Sequence, residues 1–316
     1  MFYKGVISSF LLVSVTSGTF LQSQNVDSSY QVVHGWPKLP HELTLGQVSG
    51  VDVDSHNHVF VFHRENPPIL CLDGASGRLL HSWGHNQFIR PHGLKVDQQD
   101  NVWVTDVYRH QVFKFSHSGK LLLTLGVEKE PGIDDRHFNK PTDVAFSSNG
   151  DVYVSDGYGN SRIVKLSSTG TFLLEWGSKG DQPGQFDIPH GITVDGAGKV
   201  YVADRSNSRI QIFDHRGKFL KEWKSQDLGR PWAVNLGRDG FLYVVDGGDL
   251  NPNPPDRGYA LKLDLEGKIL DKWGGFGSYD GQFYWAHTIA AARNGDVYVG
   301  DVHFGMRVQK FFKIAQ

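Results

Sequence analysis

The chain has 316 residues, with 32 lysines and arginines against 34 acidic residues and a formal net charge of −2. That near-neutral balance, without a basic cluster, argues against nucleic acid as the main partner. The length allows one large domain or two small ones. The 37 glycines and 12% aromatic residues fit many turns and many aromatic strand positions, as in an all-β protein. The single cysteine, Cys71, supports neither a disulfide framework nor a Cys-based metal site. Its setting, Ile69-Leu70-Cys71-Leu72, reads as a buried strand position.

Residues 1–25 carry one early cation, Lys4, then an apolar run from Val6 to Val15, then small and polar residues. This pattern predicts a secretory signal peptide or a retained N-terminal anchor, and a secreted or periplasmic protein. Cleavage is expected between Ser17 and Asn25. No later stretch is long and apolar enough for a transmembrane helix, so no other membrane contact is expected.

Residues 26–316 read as repeats. An apolar strand ending in an acid recurs as Val102-Trp103-Val104-Thr105-Asp106, Val152 to Asp156, Val200 to Asp204, Leu242 to Asp246 and Val297 to Asp301, with a divergent first copy, Val59-Phe60-Val61-Phe62-His63. Each copy follows another strand, such as Gly93 to Asp97, across a polar turn. A third strand comes next, such as Gln111 to Phe115. A fourth often ends in Trp-Gly, as in Phe172 to Gly177. Six such units predict a six-bladed β-propeller. The sixth runs out of chain at its third strand, near Phe311 to Ile314. Tyr30 to Gly35 reads as its missing outer strand, closing the ring and removing its free sheet edges. An open stack of sheets or a β-sandwich is the alternative.

Three histidines hold matched positions in alternate units: His92 in Arg90-Pro91-His92-Gly93, His190 in Ile188-Pro189-His190-Gly191 and His287 in Trp285-Ala286-His287-Thr288. Ser49, Thr142 and Trp232 take that position in the other three. The first strand of each unit should be innermost, so the three imidazoles should converge on the propeller axis. Three neutral imidazoles suit Zn²⁺ or another divalent transition metal, with a fourth position open to water or a substrate oxygen. The remaining histidines, among them His56, His58, His81 and His85, read as solvated turn residues.

Arg64 and Arg205 follow the strand ends of units one and four, on opposite sides of a six-bladed ring. Two guanidinium groups over one channel mouth suit a carboxylate. Each could instead pair with a neighbouring acid such as Glu65 or Asp204. Tyr158, flanked by Gly157 and Gly159, could present its phenol to the metal as a proton acceptor, or simply pack over the blade.

Phe62-His63-Arg64, Pro91-His92-Gly93-Leu94, Ser155-Asp156-Gly157-Tyr158, Pro189-His190 and Ala203-Asp204-Arg205 together resemble the peptidyl-α-hydroxyglycine α-amidating lyases, over roughly residues 45–312 of an NHL-repeat propeller. The resemblance implies a lyase that cleaves a peptidyl- or acyl-α-hydroxyglycine to an amide and glyoxylate. It implies zinc on His92, His190 and His287, Tyr158 as the base, and Arg64 and Arg205 on the substrate carboxylate. The family has Met-Pro-His-Asp around its third histidine, where this chain has Trp285-Ala286-His287-Thr288. Trp285 is expected to reshape the substrate pocket. The family's structural calcium would find the backbone carbonyls of Val51 and Leu94, but Thr288 lacks the charge a hard cation favours, which argues against calcium. The partners expected are a peptide or small molecule with a terminal carboxylate, and the chain is expected to be monomeric. Two other readings are an NHL propeller that binds a partner around a structural metal, and a propeller hydrolase or lyase acting on another small anion.

Overall fold

The computed structural model describes Met1, residues 28–248 and residues 257–314. The expected signal segment, residues 1–25, lies outside the described residues apart from Met1. Six four-stranded antiparallel sheets form the blades of a propeller. Blade 1 contains Val48–Val53, His58–His63, Ile69–Asp73 and Leu79–Trp83, numbered from the axis outward. The inner strands of blades 2 to 6 are Pro91–Val96, Asp143–Phe146, Pro189–Val194, Pro231–Leu236 and Ala286–Ala291.

Burial follows position in the blade. The second strands of blades 2 to 6, such as Val102–Asp106, are buried along their whole length because neighbouring blades cover both faces. The outer strands, such as Leu79–Trp83 and Phe219–Trp223, alternate between half-buried and exposed residues. The core is accordingly divided into clusters between adjacent blades. One such cluster joins Phe60, Phe62 and Cys71 of blade 1 to Leu94, Val104 and Phe113 of blade 2. Cys71 is fully buried there, and burial pushes its thiol up to about 12.

The ring closes through the N-terminal segment. Tyr30–Val32 pairs antiparallel with Phe311, Phe312 and Lys313. The third strand of blade 6 begins earlier than the sequence indicated, at Arg307. The Tyr30 ring stacks on Trp273 of blade 5 at 4.2 Å, so the closing strand also caps the neighbouring blade.

The acid at the end of each second strand has a common task. Its carboxylate accepts backbone N–H groups from the segment leading into the inner strand: Asp106 from Ile89 and Arg90, Asp156 from Asn139, Asp204 from Asp187, and Asp246 from Arg230. These contacts fix the start of the inner strand, where the site residues lie. The divergent first copy keeps the interaction with a different group. His63 Nδ1 accepts the Gly46 N–H at 3.1 Å.

Candidate functional site

His92, His190 and His287 each stand near the start of an inner strand and converge on the axis. Their ring centroids are 4.7 to 4.8 Å apart. Each Nδ1–H donates to a backbone carbonyl of the next blade: His92 to Thr142 at 2.7 Å, His190 to Trp232 at 2.6 Å and His287 to Ser49 at 2.8 Å. The acceptors are the three residues that occupy the histidine position in the alternate blades. Gly93 and Gly191 permit this close approach. A Cβ on Gly93 would lie 2.6 Å from the Thr142 oxygen, and one on Gly191 3.0 Å from that of Trp232.

Those hydrogen bonds place the proton on Nδ1 and leave the three Nε2 lone pairs facing inward. Burial, reinforced by Arg64 and Arg205, holds all three rings neutral. His92 is lowered to about 3, and His190 and His287 fall well below their ordinary value.

Tyr158 enters from blade 3. Its hydroxyl lies 3.1 Å from His92 Nε2 and 3.0 Å from His190 Nε2. One phenolic proton cannot serve two lone pairs, and His287 adds a third. A site so rich in lone pairs and short of protons matches the demand of a cation. Four donors around a tetrahedral zinc lie about 3.3 Å apart, close to the spacing of the phenol oxygen from the two imidazoles. The residues therefore fit a divalent transition metal. Burial pushes the phenol above its ordinary value, while Arg205 and Arg64 pull it down.

Arg205 and Arg64 flank Tyr158. Arg205 Nη1 lies 3.4 Å from the phenol oxygen, and its guanidinium stacks 3.6 Å above the Trp232 ring. Arg64 donates to the Pro91 carbonyl at 3.2 Å and to the Gln47 side chain. Asp204, considered above as a partner for Arg205, is bonded to Arg209 at 2.8 Å. Arg162 and Arg209, each two residues after an asparagine in Asn160-Ser161-Arg162 and Asn207-Ser208-Arg209, bind acids and backbone carbonyls within the blades.

Two features of the mouth were not singled out in the sequence. Arg90 acts electrostatically on Arg64, His92 and Tyr158, so a third guanidinium lies within electrostatic reach of the site. His303 feels all three arginines. Its ring lies 4.4 Å from Trp285, which also packs against Tyr284 and lies 6.2 Å from Phe304. Trp285 is itself mostly covered, and Phe304 is 76% exposed, so the outward-facing aromatic surface is that of Phe304.

Beyond the histidines the axis narrows to a channel lined by Leu94, Lys95, Asp143 and Thr288. The Thr288 hydroxyl accepts the Val51 N–H at 3.1 Å, and Lys95 Nζ lies 3.7 Å from Asp143.

Comparison with known proteins agrees with this architecture. NHL repeats match residues 88–115, 138–166 and 186–213. Among solved structures, a gluconolactonase from Xanthomonas campestris superposes with a TM-score of 0.59 at 13% identity, covering 85% of this chain and 86% of that one. That likeness concerns the fold alone. Fold and repeats define an NHL-repeat β-propeller. Peptidyl-α-hydroxyglycine α-amidating lyase 2 of Drosophila melanogaster is 31% identical over 89% of this chain and 74% of its own length. The second such Drosophila lyase, lyase 1, is 34% identical over 90% of this chain and 60% of its length. The chain belongs to the peptidyl-α-hydroxyglycine α-amidating lyase family. Peptidyl-glycine α-amidating monooxygenase A of Xenopus laevis is 40% identical over 85% of this chain, which spans about a third (32%) of that longer protein.

Proposed function

We propose that this protein cleaves the C–N bond of a peptidyl- or acyl-α-hydroxyglycine, giving the amide and glyoxylate. The observation that carries the reading is the Tyr158 hydroxyl, held between His92 and His190 with the Arg205 guanidinium beside it. His92, His190 and His287 would hold a divalent transition metal, zinc in the first instance, which supplies Lewis-acid polarisation of the substrate hydroxyl oxygen.

Arg64 and Arg205 bind the substrate carboxylate and so fix the hydroxyl on the adjacent carbon toward Tyr158. Both are enclosed by neighbouring groups, Arg64 by Gln47 and the Pro91 carbonyl and Arg205 by the Trp232 ring. This limits the rotamer entropy lost on binding. Tyr158, whose raised phenol pKa a dication on the three histidines would bring down, accepts the hydroxyl proton as phenolate. The C–O bond becomes the aldehyde of glyoxylate as the C–N bond breaks. The electron pair of that bond passes to the amide nitrogen, which takes up a proton to complete the primary amide. The proton gained by Tyr158 balances the one used on nitrogen.

The channel beyond the histidines favours a chain without calcium. Thr288 brings no charge, and the Lys95 ammonium already lies beside Asp143. Export and a monomeric state belong to the same proposal, the first resting on the sequence of residues 1–25.

The test is glyoxylate release from an N-acyl-α-hydroxyglycine, with metal content assayed in the same preparation. Metal-dependent turnover that is lost in His190→Ala and Tyr158→Phe supports the reading. Bound metal without turnover overturns the substrate assignment and favours another small anion or a binding role.

A further inference from the structure

A second cluster of metal-ligating side chains lies at the opposite end of the propeller. The inner strand of blade 1, Val48–Val53, has Ser49, the acceptor for His287, near one end and Asp54 just beyond the other. At the rise of a β-strand the two are roughly 15 Å apart. Around Asp54 stand His58 of the same blade and His117 of the turn between the two outermost strands of blade 2. The sequence pattern placed His58 and His81 among solvated turn residues. Instead His58 opens a strand, half-buried, and His81 lies in the outer strand, its ring 5.6 Å from that of His117.

Both histidines aim at one atom. Asp54 Oδ2 lies 2.8 Å from His58 Nδ1 and 2.9 Å from His117 Nε2, and the two nitrogens are 3.4 Å apart. The Asp54 carboxylate is buried, and its other oxygen accepts the backbone N–H groups of His56 and His58. The Cys71 thiol lies beside the two histidines. Potential ligand atoms of His58, Cys71 and His117 all lie within 4.8 Å of one another. Cys71 pairs across the sheet with Phe60 on one side and His81 on the other, which directs its sulfur into the seam between blades 1 and 2.

We propose that His58, His117, Asp54 and Cys71 form a second binding site for a borderline-soft divalent cation of the zinc type, joining blade 1 to blade 2. The chemistry of the set matches that ion. Two neutral imidazoles, one carboxylate and a thiol that a bound ion would deprotonate give four donors and two negative charges, which neutralise a dication. Nitrogen and oxygen ligands of tetrahedral zinc sit about 3.3 Å apart. The nitrogen pair already has that spacing, and the carboxylate needs to retreat by a few tenths of an ångström. Four protein ligands leave no open position, so the site is structural rather than catalytic. Its ligands come from the 54–58 turn, the third strand of blade 1 and the 116–120 turn of blade 2. A bound ion would therefore tie neighbouring blades together near the lower rim.

Metal stoichiometry of the whole chain, read in a background that lacks the axial site, gives the test. After zinc loading and dialysis, the wild-type protein should hold two ions, His190→Ala one, and His190→Ala with His117→Gln none, with circular dichroism verifying that each is folded. Cobalt in the His190→Ala protein should show near-ultraviolet thiolate charge-transfer absorption that Cys71→Ser removes. A single ion in the wild type with none left in His190→Ala overturns the site. An ion retained by His190→Ala without thiolate absorption overturns the assigned ligand set.

Discussion

The Arg205 guanidinium lies 3.6 Å above the ring of Trp232. The same Trp232 accepts the His190 Nδ1 proton through its carbonyl, so one residue sets both a candidate metal ligand and a carboxylate-binding arginine. A cation stacked on an indole gains about 0.5 to 2 kcal/mol. Trp232→Leu keeps the backbone carbonyl and removes the ring. The expected result is KM for an acyl-α-hydroxyglycine raised roughly 2- to 30-fold, with the bound metal retained. Steady-state kinetics with metal analysis checks this, and loss of the metal would show that the ring also supports His190.

Tyr158→Phe should separate chemistry from metal binding. The three Nε2 lone pairs do not depend on the phenol for their orientation, which comes from the carbonyls of Thr142, Trp232 and Ser49. The variant should keep its metal and lose turnover by about 100-fold or more, the scale of a missing general base. Metal content and glyoxylate release, measured on one preparation, decide it. A variant that lost the metal as well would make Tyr158 mainly a ligand.

Arg90 invites a parallel comparison. It lies close enough to influence Arg64, His92 and Tyr158. Arg90→Gln should weaken substrate binding less than Arg64→Gln does, because Arg90 acts more weakly than Arg64 on the Tyr158 phenol. The readout is the ratio of the two KM values; equal losses would place Arg90 on the carboxylate itself.

His63 links the fold to pH. Its Nδ1 accepts the Gly46 N–H, so the proton sits on Nε2, which is buried. Burial lowers the imidazole to about 4, against about 6.5 in an unfolded chain. The folded state therefore binds fewer protons between these values. The stability held above pH 6.5 is lost as the pH falls toward 4, by on the order of 3 kcal/mol. His63→Asn offers a neutral acceptor that does not titrate and should flatten this part of the profile. Urea unfolding at pH 7.5 and 4.5 tests it, and an unchanged slope in the variant would assign the effect to other groups.

Much of this was legible in the sequence because propeller geometry turns spacing into position. Matched places in alternate repeats put His92, His190 and His287 on one axis, and the same alignment picked out Ser49, Thr142 and Trp232, whose carbonyls turn out to fix the imidazole tautomers. The alignment could not show that second role, because backbone acceptors carry no residue signature. Arg90 stood inside a motif read for its histidine, and nothing in its spacing set it apart. The Asp54, His58 and His117 cluster escaped because its members lie in or beside turns of two blades, where polar residues are expected anyway. His63 looked like a lapse in the repeat, yet it supplies the same acceptor as the aspartates of other blades.

Closure of the ring rests on a short strand. Tyr30–Val32 forms only three pairs with the last strand, and Tyr30 does most of the side-chain packing. It stacks on Trp273, and its hydroxyl lies 3.0 Å from that of Tyr243. Desolvation raises the Tyr30 phenol to about 12 and the Tyr243 phenol further still, so the hydroxyl pair stays protonated across the working range. Truncating a buried aromatic to alanine costs about 3 to 5 kcal/mol. Tyr30→Ala should lower stability by that amount in urea, while Tyr30→Phe, which keeps the stacked ring and loses one hydroxyl contact, should cost about 1 kcal/mol. A propeller that loses its closing strand exposes the outer edge of blade 6, so the alanine variant should also aggregate more readily on warming. Equal effects of the two substitutions would place the stabilisation in the hydroxyl pair instead of the stacked ring.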